Sequence, residues 1–406
     1  MTLPPSPSDV MSALPGHDLV RPLSAVPASA AAPREAGTAM AYTQGLRGYA
    51  SAHEQMTRME VVRRLARLKG YAVSEEFAQP PLGRVYLVPS DTIVGVERAQ
   101  DLGIHGRDDF FGGVVPRPFV STKAITHPLV SGDAHAPEGW NPAFSRMVGD
   151  AVLPGFTAFT RADAALAADR LLQHGPVRIK VVRETGGNGQ TVAKDRAAFD
   201  ACLAGIADDL LDRDGVVVEQ NLREVDTLSV GQVHVAGMVA TYFGRQRLTP
   251  NHHGAEVYGG SDLTVVRGDF QALLALPLLP EERIAVEQAL LYDSAAQSCF
   301  PGFFASRINY DVAQGLMPGG EWRSGVLEQS WRAGGATGAE IAALEAFRDD
   351  PQRRVVRASG YEVFGPCDAL PPGAVVYFRG VDDQVGQLTK YTTVETDRPS
   401  DDDHPA

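Results

Sequence analysis

The sequence ASRINYDVAQGLMPGGEWRSGVLEQSWRAGGA, residues 305–336, predicts two strands joined by a loop rich in glycine and proline between Gln314 and Gly325. A short connection favours antiparallel pairing. Side chains alternate between the two sides of a strand, so each strand is expected to carry one polar face. The residues of these faces are Arg307, Asn309 and Asp311 in the first strand and Glu328, Ser330 and Arg332 in the second. Pairing of the strands brings the two polar faces together.

The paired faces offer oxygen ligands to a hard cation. Mg²⁺ prefers carboxylate, carbonyl and water oxygens, and it keeps coordination positions open for phosphate oxygens. The candidate metal ligands are Asn309, Asp311, Glu328 and Ser330. The hairpin alone leaves open the alternative of a solvated sheet face with an ordinary ion pair.

Length and composition narrow the class of protein. The 406 residues suffice for two or three domains, and no apolar run is long enough to cross a bilayer. The net charge of -13 disfavours nucleic acid or an anionic membrane as the main partner, which leaves small molecules. The three cysteines form no metal-ligand pattern and the N-terminus has no secretory pattern, so we expect reduced thiols in a cytoplasmic protein.

The sequence of the N-terminal part predicts a disordered segment that is followed by a small α/β domain. Residues 1 to about 44 are rich in proline, alanine and serine and have few large apolar side chains, which indicates disorder. The segment EQMTRMEVVRRLARLKG, residues 54–70, has apolar residues at helical spacing and a glycine stop. The buried strand in GRVYLVPSDTIVG, residues 83–95, follows it.

A strand and a glycine-rich loop form a second candidate site. The strand PVRIKVV, residues 176–182, carries Lys180 and leads into RETGGNGQT, residues 183–191. The loop glycines are Gly186, Gly187 and Gly189. Glycines let backbone amides approach an anion closely, so the loop could cover phosphates. It is not a Walker A loop, because no Lys-Ser/Thr pair follows the glycines.

The order of four motifs resembles that of the ATP-grasp superfamily. These motifs are Lys123 in TKAITHPLV, Lys180 before the glycine-rich loop, the segment VVVEQNL at 216–222, and the hairpin. The resemblance covers about residues 123–337. Within the superfamily, the chain resembles a bacterial branch whose members are sometimes labelled biotin-carboxylase-like. A generic α/β domain with coincidental motifs is the alternative.

The resemblance implies a mixed α/β (α+β) fold in which two α+β subdomains grip a nucleotide, preceded by the small α/β domain. The implied segments are a disordered lead-in at 1–44, the small domain at 45–120, an ATP-grasp domain at 121–350 with a lid subdomain at about 155–225, a strand-rich extension at 351–395 and an acidic tail at 396–406.

The resemblance also assigns roles to single residues. Lys123 and Lys180 would reach the nucleotide phosphates, and Gly186, Gly187 and Gly189 would form the loop that closes over them. Glu219 would follow the adenine-lining strand, Leu222 would read the adenine ring through its backbone amide, and Asp226 would accept hydrogen bonds from the ribose. Arg332 would contact phosphate or an acyl phosphate. The alternative makes Lys180 an edge-strand charge, Lys123 an exposed helix residue, and Glu219 and Asp226 ordinary surface acids at a strand end.

The hairpin departs from the superfamily pattern at two positions. Members usually carry Asp, Glu or Gln where Asn309 stands, and Glu-x-Asn where this chain has Glu328, Gln329 and Ser330. Asp311, on the face of Asn309, is a candidate to supply the charge that Asn309 lacks. These departures make the metal affinity of the hairpin an open question.

The activity implied is an ATP- and Mg²⁺-dependent ligase, which activates a small carboxylate as an acyl phosphate for attack by an amine or a thiol. Arg247, His253 and Tyr258 are candidates to face the acceptor. The alternatives are carboxylation of biotin through carboxyphosphate and a nucleotide-binding protein without turnover. The expected partners are small-molecule substrates, not nucleic acid or membrane, and the sequence leaves a homodimer open.

Overall fold

The computed structural model describes residues 37–43, 51–74, 83–184 and 189–395. Most of the segment expected to be disordered, and the whole acidic tail at 396–406, lie outside these residues. The described part of that segment contains strand β1, Thr38–Tyr42, which is mostly buried. The expectation of disorder up to residue 44 is therefore wrong for this strand, whose mostly apolar side chains TAMAY fit a largely buried sheet position.

The N-terminal unit is a three-stranded parallel sheet, in the order β2-β1-β3, with one main helix. Its elements are β1, α1 at Ala52–Lys69, β2 at Ala72–Ser74, β3 at Val85–Pro89, β4 at Ile93–Val94, α2 at Val96–Asp101 and β5 at Gly113–Val115. Helix α1 begins at Ser51, whose side chain accepts a hydrogen bond from the Glu54 amide. It ends at Gly70, which has a φ of 69° and is the stop that the sequence predicts.

A second unit, the small sheet, is antiparallel and has the order β6-β9-β7-β8. It follows 3-10 turns at Pro118–Ser121 and Lys123–Thr126 and the short helix α3 at Pro142–Met147. Its elements are β6 at Gly155–Ala158, α4 at Arg161–Leu171, β7 at Val177–Val181, β8 at Gln190–Ala193, α5 at Arg196–Ala204, α6 at Asp208–Asp214 and β9 at Val216–Gln220. Alanines of α4 and Phe199 of α5 pack on the sheet. Strand β9, VVVEQ, is buried throughout.

The third unit, the large sheet, is an eight-stranded antiparallel sheet in the order β15-β14-β10-β11-β12-β16-β18-β17. Its elements in chain order are β10 at Arg223–Val235, β11 at Met238–Pro250, β12 at Glu256–Arg267, α7 at Phe270–Leu274, α8 at Pro280–Cys299, β13 at Phe304–Ala305, β14 at Arg307–Leu316, β15 at Trp322–Ser330, α9 at Thr337–Asp349, β16 at Val355–Phe364, β17 at Val375–Asp382 and β18 at Gly386–Val394. Strand β13 instead pairs with β5 of the N-terminal unit.

Helices cover the large sheet through two apolar clusters. Ala289 and Tyr292 of α8 pack in one cluster with the hairpin residues Tyr310 and Val312. Residues of α9 and α1 pack in the other cluster with side chains of β10, β11, β12 and β16. Each large apolar side chain buried in this way contributes about 1.5–3 kcal/mol. These cores fix the hairpin and the start of α9 in place, and both carry site residues.

The fold class expected from the sequence is confirmed: the protein is mixed α+β, with two α+β subdomains after a small α/β unit. The strands of residues 351–395 are integral to the large sheet, because β16 pairs with β12 and β18 pairs with β16. Among the described residues, no helix has the length and apolarity that a bilayer crossing requires.

Candidate functional site

The hairpin of β14 and β15 forms as predicted, with longer strands and a loop reduced to residues 317–321. The strands pair antiparallel, and the register sets Asp311 opposite Glu328 and Asn309 opposite Ser330. The two polar faces therefore meet. The register also makes Asp311, rather than Asn309, the direct partner of Glu328.

The Asp311 carboxyl is half-buried and held by three donors. Its Oδ1 accepts hydrogen bonds from Ser229 Oγ (3.2 Å), Gln246 Nε2 (2.8 Å) and Asn309 Nδ2 (3.0 Å). Burial and the charge of Glu328 raise the pKa of Asp311 to about 6. Two neighbouring carboxylates repel each other, and a divalent cation between them removes that repulsion. The pair therefore fits an Mg²⁺ ion.

Asn309 and Ser330 are engaged with other protein groups. The Asn309 amide donates to Asp311, and its Oδ1 accepts a hydrogen bond from Tyr242 OH at 2.8 Å. Ser330 Oγ accepts from Arg307 Nη1 at 3.3 Å. In this arrangement Asn309 supports the Asp311 carboxylate, whereas Ser330 contacts Arg307. Among the described residues, no group of three acidic, histidine or cysteine side chains is placed to hold a metal ion.

A buried ion pair lies beneath the hairpin. Arg307 Nη2 is 2.7 Å from Glu340 Oε1, and both side chains are almost fully buried. Tyr242 OH also lies 2.5 Å from Glu340 Oε1, so its single proton is shared between Glu340 and Asn309 Oδ1. Arg307 Nη1 donates to the backbone oxygens of Ser330 (3.0 Å) and Arg332 (2.6 Å), which fixes the end of β15. Sequence reasoning missed Glu340, because it lies in α9 and no local pattern links it to Arg307.

The two candidate phosphate lysines enter one cluster with two carboxylates. Lys180 Nζ, on β7, lies 2.5 Å from Glu219 Oε1 on β9. Lys123 Nζ lies 2.7 Å from Glu328 Oε2 on β15 and donates to the Glu184 backbone oxygen at 2.9 Å. Burial lowers the pKa of Lys180, and the charge of Glu219 opposes that effect. The cluster joins the small sheet to the large sheet.

Glu219 has a different environment from the one expected. It lies within β9 rather than after the strand, and its side chain is buried. Its Oε2 is 3.1 Å from His127 Nε2. Burial alone would raise the pKa of Glu219, but Lys180 and His127 lower it to about 2. Glu219 is therefore an ionised anchor for Lys180. His127 was missed, although it follows Lys123 by four residues.

The glycine-rich loop connects β7 and β8, and Gly186 and Gly187 lie outside the described residues. Gly189 is described and has a φ of 63°. A Cβ at Gly189 would stand 2.6 Å from Glu184 Cγ, so this position requires glycine. Leu222 is buried and lines the cleft described below.

Asp226 lies away from the cleft. Its carboxylate is exposed and pairs with Arg245 Nη1 at 2.7 Å. The pairing of β10 with β14 is irregular between Arg223 and Asp226, and Glu224 in this bulge has a φ of 52°. Such a bulge changes which side chains face which side of the sheet. Thr227, not Asp226, lines the cleft. The structure thus contradicts the ribose role predicted for Asp226.

Arg332 lies just beyond the end of β15 and lines the cleft. Its Nε is 3.7 Å from Asp91 Oδ1, in the loop after β3 of the N-terminal unit. Asp91 was not among the predicted residues. The N-terminal unit thus helps to orient the guanidinium group.

A cleft of about 770 Å³ brings these groups together. Its walls include Arg178, Lys180 and Glu219 of the small sheet. The large sheet contributes the hairpin carboxylates, and the loop at 333–338 and the start of α1 complete the cleft. A ligand in it would contact Lys180 of the small sheet and the carboxylates of Asp311 and Glu328 of the large sheet.

A small antiparallel sheet that carries Lys180 and a larger sheet that carries the carboxylates of Asp311 and Glu328 border one cleft, which is the arrangement that the ATP-grasp resemblance predicts. A family model matches residues 41–392, and the chain belongs to that family, which is described as "Protein of unknown function (DUF3182)". No curated protein matches the chain.

Several solved structures are similar to the chain. One is carboxyaminoimidazole ribonucleotide synthase from Aspergillus clavatus complexed with ATP, with 13% identity, a TM-score of 0.49, and coverage of 89% of this chain and 94% of that chain. Another is biotin carboxylase from Campylobacter jejuni, with 10% identity, a TM-score of 0.48, and coverage of 89% and 88%. A third is D-alanyl-alanine synthetase A from Vibrio cholerae, with 11% identity, a TM-score of 0.44, and coverage of 73% and 88%. Similarities of this size carry no argument about substrate or mechanism.

Proposed function

We propose that the protein is an ATP- and Mg²⁺-dependent ligase for a small-molecule carboxylate. One carboxylate oxygen attacks the γ-phosphorus of ATP, ADP leaves, and an acyl phosphate forms. An amine or thiol then attacks the acyl carbon, and phosphate leaves with the bonding electrons of the broken C–O bond. The observation that carries the proposal is the single cluster in which Lys123 and Lys180 meet Glu328 beside Asp311.

The two lysines supply the charge that phosphate requires. Phosphoryl transfer is catalysed almost entirely by positioning and electrostatic stabilisation. Lys180 is held by Glu219, so its ammonium group is in a fixed position before the nucleotide arrives. Lys123 is held by Glu328 and by the Glu184 backbone. Both ammonium groups reach the strand ends where triphosphate oxygens would lie.

The carboxylates of Asp311 and Glu328 would hold Mg²⁺ at the same place. When bound, the ion neutralises phosphate charge and orients the γ-phosphoryl group. The three hydrogen bonds to Asp311 Oδ1 leave Oδ2 as the oxygen for this role. Lys123 would then exchange its contact with Glu328 for one with phosphate.

Arg332 would bind the carboxylate substrate and the acyl phosphate. A guanidinium group forms two parallel hydrogen bonds with such anions. Asp91 and the fixed end of β15 orient Arg332 at the cleft. The loop with Gly186, Gly187 and Gly189 would close over the phosphates and exclude water, which protects an acyl phosphate from hydrolysis.

Leu222 is the position at which a backbone amide would read the adenine, because it follows β9 and lines the cleft. Thr227 replaces Asp226 as the candidate for the ribose, since its side chain is on the cleft side of β10. A hydroxyl group can donate to and accept from ribose hydroxyls.

A nucleotide-binding protein without turnover is the second candidate function. It is favoured by the engagement of Asn309 and Ser330 with protein groups, which leaves a metal site of two carboxylates. Such a site has fewer protein ligands than the superfamily pattern supplies.

The test measures ADP release and nucleotide binding in parallel. Purified protein is incubated with ATP, Mg²⁺ and mixed carboxylates and amines, with bicarbonate and free biotin as a separate arm. We expect ADP release in the carboxylate arm, and Lys180→Met and Glu328→Gln should each reduce it at least about tenfold, because each removes a charge from the phosphate site. Lys194→Met, at an exposed lysine beside β8, is the matched control.

Three other outcomes of this experiment would each lead to a different conclusion. ADP release that Lys180→Met leaves at the level of the control would contradict the phosphate site. ATP binding without ADP release in any arm would select the non-catalytic protein. Release that depends on bicarbonate and biotin would select the carboxylase alternative.

A further inference from the structure

The turn that carries Lys123 is bonded to the strand that carries Glu328. Lys123 begins a 3-10 turn, and the residues just before it accept hydrogen bonds from β15. Gln329 Nε2 donates to the backbone oxygens of Val120, at 3.0 Å, and Thr122, at 2.7 Å. Gln329 is buried and follows Glu328 directly in the chain. The fold itself therefore holds the base of the Lys123 side chain beside Glu328.

The Lys123 ammonium group neutralises Glu328. Lys123 Nζ is 2.7 Å from Glu328 Oε2, and the lysine side chain is almost fully buried. Lys180 Nζ is bound to another carboxylate, that of Glu219, at 2.5 Å. Of the ion pairs within the described ranges, the pair with Lys123 is the one that involves Glu328.

A metal ion that binds Glu328 has to compete with this ammonium group. After displacement, Lys123 would keep one hydrogen-bond partner in the described part of the chain, the Glu184 backbone oxygen at 2.9 Å. A buried charge that has lost its counter-charge is strongly unfavourable. A phosphate group would give the displaced ammonium group a new anionic partner. Displacement of Lys123 is therefore easier when a phosphate is present.

The charges of the cluster lead to the same conclusion. The ammonium groups of Lys123 and Lys180 face the carboxylates of Glu219, Asp311 and Glu328. The cluster therefore has little net charge, and its Coulomb attraction for a lone divalent cation is weak. Removal of one ammonium group leaves an excess of carboxylates, which attracts such a cation more strongly.

We infer that Lys123 is a built-in competitor of the metal ion at Glu328, and that it couples metal binding to nucleotide binding. The phosphate of the nucleotide draws Lys123 away from Glu328, which frees this carboxylate for the metal ion. Such coupling is reciprocal, so the metal ion raises nucleotide affinity by the same factor. The inference rests on the proposed function and adds to it a control on the loading of the site.

The test measures metal binding to the full-length protein without nucleotide. Mn²⁺ is the probe, because it takes the same oxygen ligands as Mg²⁺ and the free ion is counted by electron paramagnetic resonance. We expect Lys123→Met to bind Mn²⁺ at least about fivefold more tightly than the wild type. Lys194→Met, at an exposed lysine, should bind Mn²⁺ as the wild type does.

Two further variants locate the effect. Lys180→Met removes the same charge from the same cluster, but Lys180 is bound to Glu219, so its gain in Mn²⁺ affinity should be smaller. Glu328→Gln, added to Lys123→Met, should abolish the gain. Circular dichroism verifies folding, and Lys123→Gln, which keeps a donor for the Glu184 oxygen, replaces Lys123→Met if that variant does not fold.

The inference is overturned if removal of the Lys123 charge raises Mn²⁺ affinity no more than Lys194→Met does. Equal gains in the Lys123 and Lys180 variants would also overturn it, because the effect would then depend on total charge and not on competition at Glu328. A gain that persists after Glu328→Gln would have the same consequence.

Nucleotide binding to the same samples separates the two proposals. Calorimetry measures the affinity for a non-hydrolysable ATP analogue with Mn²⁺ and with EDTA, and we expect Mn²⁺ to raise it less in Lys123→Met than in the wild type. If the analogue binds and the Lys123 variants gain no Mn²⁺ affinity, the inference fails while the ligase proposal stands. If they gain Mn²⁺ affinity and the analogue binds to no sample, the competition at Glu328 stands and the ligase proposal fails.

Discussion

Asp311→Asn is expected to stabilise the protein and to abolish the metal-dependent activity that we propose. The three hydrogen bonds to Asp311 all end on Oδ1, so an asparagine can keep them with its amide oxygen. Its amide nitrogen then takes the place of Oδ2 and can donate to Glu328, which is the residue opposite. A repulsive contact between two carboxylates becomes an attractive one.

The size of the effect follows from the pKa of Asp311. Burial and Glu328 raise it from 3.8 to about 6. The ionised form therefore costs the folded state up to about 3 kcal/mol, because one pH unit corresponds to about 1.4 kcal/mol. This loss of folding free energy is fully present above pH 6. It disappears as the pH falls to 3.8, the pKa of Asp311 in the unfolded chain. The asparagine avoids it at every pH.

The assay is guanidinium denaturation of the wild type and the variant at pH 8 and pH 4.5, without Mg²⁺. We expect the variant to be more stable at pH 8 by about 1–3 kcal/mol, and the difference to shrink at pH 4.5. Asp101→Asn, at an exposed aspartate of α2, should change stability by less than about 0.5 kcal/mol. A variant less stable than the wild type at pH 8 would refute the proposed repulsion.

Three further predictions concern neighbouring groups. Arg307→Met leaves Glu340 buried without its partner, so the free energy of unfolding should fall by about 3–5 kcal/mol, and denaturation at pH 7.5 measures it. Glu219→Gln removes the charge that opposes the lowering of the Lys180 pKa, so in calorimetric titrations ATP affinity should fall with rising pH, and at a lower pH than in the wild type; a pH dependence equal to the wild type would contradict this. Asp226→Asn should leave ATP affinity unchanged, since its side chain is exposed and off the cleft.

The hairpin was predictable because its determinants are local. Alternation of side chains places Asp311 and Glu328 on polar faces, and a short loop joins the strands, so pairing follows from the sequence alone. The register was not predictable in the same way. It depends on a bulge after Asp311, where the pairing is irregular. The register of Val312–Leu316 alone would set Asp311 opposite Leu327, and the bulge sets it opposite Glu328.

Contacts between distant segments could not be predicted from the sequence. Glu219 is bound to His127, 92 residues away, and Arg307 to Glu340 in another element. Neither pair leaves a periodic or spacing signal, since each depends on how the sheets and helices pack. The wrong position predicted for Asp226 has a similar origin, because the bulge near Glu224 changes the alternation within β10.

The membership of β16, β17 and β18 in the large sheet restricts how the protein can be shortened. A truncation after Asp350 would remove three strands and leave β12 without its neighbour along Asp262–Val266. An uncovered strand edge pairs readily with other chains. We therefore expect a fragment that ends at Asp350 to self-associate during expression. Biochemical work on this family should use the chain through residue 395.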